Sequence, residues 1–206
     1  MIDLTLACGR YDRTEALRDG RVVPEGMRLT YLPLEAEEAF WRMLRHREFD
    51  AAEMSLGAYV SRRARGIEDL VAIPVFPSRL FRHASIFVPA GSPVRDPAEL
   101  RGGRIGVPEY RMTASIWARG ILEEHGLEPG AATWVQGGLE QPGRVSRDAV
   151  PPRGVEVVEA PDGRTLSDML ADAEVDALIS ARRPSSFDNG KARRLFDDPW
   201  RLAREF

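Results

Sequence analysis

The 206-residue sequence has a single cysteine, Cys8, a single lysine, Lys191, and three histidines, at positions 46, 83 and 125. One thiol closes no internal disulfide, and with histidines this widely spread it makes no zinc site, so a disulfide scaffold and a structural zinc module are both excluded. A dominant charge is also lacking, since 29 basic against 32 acidic side chains leave a formal charge of −3. Affinity for nucleic acid needs concentrated positive charge, so no nucleic-acid partner is expected. No apolar run approaches the roughly 20 residues that span a bilayer. The opening, MIDLTLACG, carries an acid at position 3 where a secretory leader would carry basic residues ahead of an apolar stretch. A cytoplasmic protein with no membrane partner is expected.

What is present is enough apolar sequence, 43% of residues, to bury a sizeable core in one large domain or two small lobes. The cations are arginine even at positions such as Arg62, Arg63 and Arg65, a coding bias that leaves only a few arginines for bidentate carboxylate binding. Short β-branched runs alternate with amphipathic segments, the pattern of an α/β protein. Strands are expected at 2–8, 27–32, 50–54, 70–76, 84–88, 104–107, 133–136, 155–158 and 176–180. Helices are expected at 13–18, 37–47, 96–100, 113–125 and 165–173, with one after Ser55 and one from about Pro199. The Pro- and Gly-rich stretch 141–152 reads as a surface loop.

In open α/β sheets ligands bind where strands end, which directs attention to the loops 8–12, 53–55, 108–113 and 180–184. Arg10, in Gly9-Arg10-Tyr11-Asp12, is placed to grip a carboxylate or else stands in an ordinary strand-to-helix turn. Glu53 is an inward acid or a solvated strand end. Ser55 caps the following helix, and a cap with the amides behind it suits an anion. Glu109-Tyr110-Arg111-Met112-Thr113 repeats the arrangement, with Thr113 expected as the cap. Arg82 and His83 put a cation and an imidazole side by side, and Arg182 heads a candidate carboxylate clamp in Arg182-Arg183-Pro184. Cys8 reads as a small buried side chain, and His46 and His125 as structural.

The phrases ACGRYDR, PEGMRLTYLPL, EFDAAEMS, AIPVFPSRLFRHASIFV, LRGGRIGVPEYRMTASIWARGIL and WVQGG resemble the 4,5-dihydroxyphthalate decarboxylase family, cytoplasmic relatives of the type II periplasmic solute-binding fold. The likeness runs from Ile2 to about Trp200, and Arg111 departs from it, a small polar residue being usual there. It implies a two-lobed α/β fold, with 1–83 in lobe I, 84–181 in lobe II and 182–206 crossing back to lobe I. It also implies an apparent truncation at the C-terminus, because the family's chains continue to complete the first lobe. The implied activity is the non-oxidative decarboxylation of a hydroxylated aromatic dicarboxylate bound between the lobes, without an organic cofactor. A divalent metal held by the substrate's hydroxyls is conceivable, although the sequence offers no ligand motif. His83 or Glu109 is the candidate acid, Arg10, Arg82 and Arg182 the anion clamps, and Ser55, Tyr110 and Thr113 the orienting donors. The alternatives are a solute-binding protein for a small carboxylate, disfavoured by the lack of a leader, and a cytosolic enzyme of the same fold acting on another cyclic carboxylate.

Overall fold

The computed structural model describes residues 1–143 and 152–205. The chain divides into two compact units, Met1–Arg79 and Leu80–Phe206. The first begins with β1 (Ile2–Cys8) and a 3-10 turn, Asp12–Thr14, that leads into α1 (Glu15–Arg18). It continues with β2 (Met27–Pro33), α2 (Ala36–His46), β3 (Ala51–Ala52) and α3 (Leu56–Ala64). The strands are parallel in the order β2-β1-β3, and a small core of Ala7, Ala39, Met43 and Phe49 lies under α2. Ser55 caps α3 as expected, its hydroxyl accepting the Ala58 N–H at 3.2 Å.

The strand expected over 70–76 does not form. Pro74 removes a ladder donor in the middle of the run, and the alternating Val71, Ile73 and Val75 are all exposed, so no neighbour receives the face that the pattern suggests.

The second unit opens with a 3-10 turn, His83–Ser85, and β4 (Ile86–Pro89). A second 3-10 turn, Pro97–Leu100, replaces the expected short helix at 96–100 and is closed by a capping box between Asp96 and Glu99. Next come β5 (Arg104–Val107), α4 (Thr113–Glu124), β6 (Thr133–Gln136), β7 (Glu156–Glu159) and α5 (Leu166–Ala171). The unit ends with β8 (Ala177–Ile179), α6 (Ser185–Asp188), β9 (Ala192–Arg194) and α7 (Pro199–Glu205). Of the expected loop at 141–152, residues 144–151 lie outside the described residues.

These strands form one sheet in the order β7-β6-β5-β8-β4-β9, in which β4 alone is antiparallel to its neighbours. Alternation along the strands sends Ile86, Val88, Ile105, Val107, Trp134 and Ile179 to one face under α4. Phe87, Val135 and Leu178 go to the other face, under α5. Both faces are buried, as a largely parallel sheet requires.

The segment expected to cross back to the first lobe, 182–206, packs in the second unit instead. Arg193 pairs with Val88 across the β4–β9 ladder, Trp200 meets Phe81 edge-on at 6.3 Å between ring centres, and Leu202 packs on the core. Covering the exposed side of β4 satisfies a backbone edge that would otherwise be left open.

Candidate active site

One edge of the six-stranded sheet collects most of the expected site residues. Because β4 is antiparallel to β8 and β9, it starts where β5, β6, β7 and β8 end. Backbone bonds tie that edge together: Ser180 N–H donates to the Ser85 carbonyl at 2.9 Å, Gly137 N–H to the Val107 carbonyl at 3.2 Å, and Ala160 N–H to the Gln136 carbonyl at 2.8 Å. Arg82 and His83 therefore enter the same edge as Arg182, one strand spacing away, and Glu109, two spacings or about 10 Å away.

Glu109 is the first acid past β5 and is half-buried. Desolvation pushes its carboxyl above the usual carboxylate range, and the Arg111 charge only partly opposes this. His83 moves the other way. It is 3% exposed, its ring lies 5.7 Å from that of Phe196, and burial, followed by repulsion from His125, pulls its pKa down against a weaker pull from Glu124. Of the two candidate acids, the surroundings favour the proton on Glu109 and disfavour it on His83. Arg82, next in sequence, has its Nη1 buried with no hydrogen-bond partner among the described residues, and desolvation lowers its pKa as well. A guanidinium in that state calls for an anion.

Two expectations are corrected at this edge. Tyr110 is a core side chain and not an orienting donor: it is 3% exposed, with the Arg119 guanidinium 3.7 Å over its ring and Trp134 edge-on at 5.5 Å. Thr113 is the first residue of α4, and Met112, which has no side-chain cap bond, holds the N-cap position. Arg182 is exposed, and its backbone N–H donates to Ser180 Oγ at 3.2 Å, so the turn is fixed by its serine.

Groups that the sequence reading passed over complete the edge. Ser115, in the first turn of α4, has a fully buried hydroxyl without a partner among the described residues. Gln136 ends β6 and accepts the Tyr110 N–H on Oε1 at 2.7 Å. A polar residue closing the apolar run Trp134-Val135 ahead of Gly137-Gly138 was the available signal. A cavity of about 440 Å³ opens farther along the edge, lined by Gln136, Gly138, Glu159, Asp162 and Arg164 among others. None of the expected site residues lines it, and Arg164 there is already bound to Asp172 and Glu174.

The first unit holds its own buried cluster. Glu53, 8% exposed, is the inward acid of the two readings, and its carboxylate accepts from Tyr11 Oη at 2.7 Å, Gly9 N–H at 3.1 Å and Cys8 Sγ at 3.8 Å. Tyr31 Oη donates to the Gly9 carbonyl at 2.7 Å. Burial and the Glu53 carboxylate hold the Tyr11 phenol protonated far above its ordinary range, and burial raises Cys8 and Tyr31 too. Arg10 stands exposed in the loop that this cluster fixes. Ser55 is occupied as the α3 cap.

Among the described residues no three His, Cys, Asp or Glu side chains come together to hold a metal ion, and no helix is long and apolar enough to cross a membrane.

The fold has counterparts among solved structures. The alkanesulfonate-binding protein SsuA from Xanthomonas axonopodis pv. citri, bound to MOPS, superposes with a TM-score of 0.61 at 17% identity, over 95% of this chain and 60% of that one. The periplasmic aliphatic sulphonate binding protein SsuA from Escherichia coli gives 0.61 at 15% identity, over 96% and 57%. Both support the type II periplasmic-binding-protein fold. No protein-family model matches the chain. Among curated proteins, the 4,5-dihydroxyphthalate decarboxylase of Comamonas testosteroni is 43% identical over the whole chain, which spans 63% of that protein's length. The protein of the same name from Pseudomonas putida is 42% identical, and the chain spans 81% of it. With that identity sustained from end to end and the expected α/β fold beneath it, the chain belongs to the 4,5-dihydroxyphthalate decarboxylase family.

Proposed function

We propose that the protein is a cytoplasmic carboxy-lyase that removes one carboxylate of a hydroxylated phthalate such as 4,5-dihydroxyphthalate. One observation carries the reading: a buried Arg82 nitrogen with no hydrogen-bond partner among the described residues shares a sheet edge with Glu109, whose carboxyl desolvation pushes above the usual carboxylate range. In this substrate a hydroxyl stands para to each carboxylate. As that hydroxyl gives up its proton, its electrons enter the ring and the carbon bearing the carboxylate takes a proton, giving a dienone-like intermediate. The ring–carboxylate bond then breaks and carbon dioxide leaves, its electrons restore the aromatic ring, the dienone oxygen takes back its proton, and a 3,4-dihydroxybenzoate remains. One proton is consumed in all. The ring supplies its own electron sink, so no organic cofactor is required.

Glu109 donates the ring proton, Arg82 holds the carboxylate that stays, and His83, neutral at its buried position, is suited to accept the phenolic proton. Thr113 and Arg182, on the same unit, contribute further anion contacts. The test is carbon dioxide release from 4,5-dihydroxyphthalate with no added nucleotide or flavin, and with activity surviving a chelator. Glu109→Gln and His83→Gln are each expected to lower kcat by about 10²–10⁴-fold, while Arg82→Ala raises KM as well. A dianion that binds without losing carbon dioxide overturns the assignment in favour of a solute-binding role.

A further inference from the structure

Tyr110, the residue after Glu109, has neither of its backbone polar groups bonded as an ordinary loop's would be. Its N–H donates to Gln136 Oε1 at 2.7 Å, and its carbonyl accepts from Arg119 Nη1. Gln136 is 5% exposed at the end of β6, and Arg119 projects from the middle of α4. Arg119 has no carboxylate partner among the described residues; its guanidinium lies 3.7 Å over the Tyr110 ring and 5.7 Å over that of Trp134. Burying a cation away from any anion is unfavourable, and here the only returns are one carbonyl and two aromatic faces. A buried glutamine amide is similarly costly unless it is bonded. Both side chains bond the backbone of the same residue, and the effect is to fix the chain just past Glu109 in position and in rotation.

We propose that Gln136 and Arg119 are positioning residues that hold the Glu109 carboxyl toward the reacting carbon by clamping the backbone on either side of Tyr110. The proposal rests on the reading of Glu109 as the proton donor, and the test separates the two. In the protein, Gln136→Leu removes the acceptor at similar volume and Arg119→Met removes the donor while keeping an apolar chain. Each variant is measured in two ways: the pH dependence of kcat and KM with 4,5-dihydroxyphthalate, and titration of the Glu109 carboxyl carbon by NMR against a Glu109→Gln blank.

The expected result is a loss in kcat on the order of 10²-fold, typical of a misplaced reacting group, with KM changed by less than threefold. The Glu109 titration should move toward the ordinary carboxylate range as the loop admits water. Added to Glu109→Gln, either variant should cause no further loss of kcat. An unmoved Glu109 titration in both variants overturns the proposal whatever the kinetics. A moved titration together with a Glu109→Gln protein at the parent rate leaves the clamp standing and removes the acid assignment. Should either substitution prevent folding, Arg119→Lys, which keeps the charge but loses the planar fork, gives the same readout on a smaller scale.

Discussion

Burial acts on Glu109 and His83 with opposite sign, and each sign has a consequence for stability. The Glu109 value in the folded chain lies above the unfolded value of about 4.3, so the folded state holds its proton longer and stability falls as pH rises through that interval. Glu109→Gln is therefore expected to raise Tm at pH 7 and to give no gain below about pH 4, as thermal melts across pH can check. His83 is depressed in the folded chain below the unfolded value of about 6.5. Stability is complete above that value and drains away below it, as the unfolded chain takes up the proton first. The parent is expected to lose Tm between pH 7 and pH 5, and His83→Gln to lose less over the same range; equal slopes would show that the imidazole titrates alike in the folded and unfolded chain. Of these effects the sequence revealed the residue types and their adjacency to strand ends. It could not reveal that Tyr110 turns its ring inward under Arg119, because that depends on a cation nine residues away choosing a carbonyl over solvent.

Among the elements, those with a strong internal pattern and a partner strand matched their sequence most closely. Strands 104–107 and 133–136 form with the expected limits, and α4 runs from Thr113 to Glu124. The short α6 and β9 were not anticipated, being too brief for any periodicity to register, and β9 exists because β4 offers it an edge. Ser55 was readable as a cap from its place ahead of an apolar helix, whereas Thr113 was not, since Met112 takes the extended backbone that a cap position requires. Ser55→Ala is expected to destabilise the chain by about 0.5–2 kcal/mol, measured by denaturant unfolding. At the end of α5, Ala173 sits at φ 55°, in the left-handed region, where a Cβ costs about 1–2 kcal/mol. Ala173→Gly is expected to stabilise by up to about 1 kcal/mol after the entropy of the unfolded glycine is counted. A loss of stability there would mean that the Ala173 methyl contributes more than the strain it causes.

At the scale of the whole molecule, the division into two α/β units was legible from the repeated strand–helix pattern, but the path of the last segment was not. The β4 edge that receives it is invisible until the sheet order is known. The two units differ in core: the second buries both faces of six strands, while the first rests on a handful of small and medium side chains. Amide exchange is expected to be slowest in β5, β6 and β8 and markedly faster in β1 to β3. Chymotrypsin should cut first among Phe76, Leu80 and Phe81, which are exposed in a stretch without regular structure; faster cleavage inside β4 to β9 would reverse this ranking. The antiparallel β4 also governs when the second unit becomes complete. Its hydrogen-bonding neighbours are β8 and β9, which the ribosome delivers only near the end of this chain, at about 5–20 residues per second. Until then Ile86, Phe87 and Val88, all fully enclosed in the finished sheet, remain open to solvent. Such distant pairing slows folding and leaves these three side chains exposed on the nascent chain for the several seconds before β9 emerges.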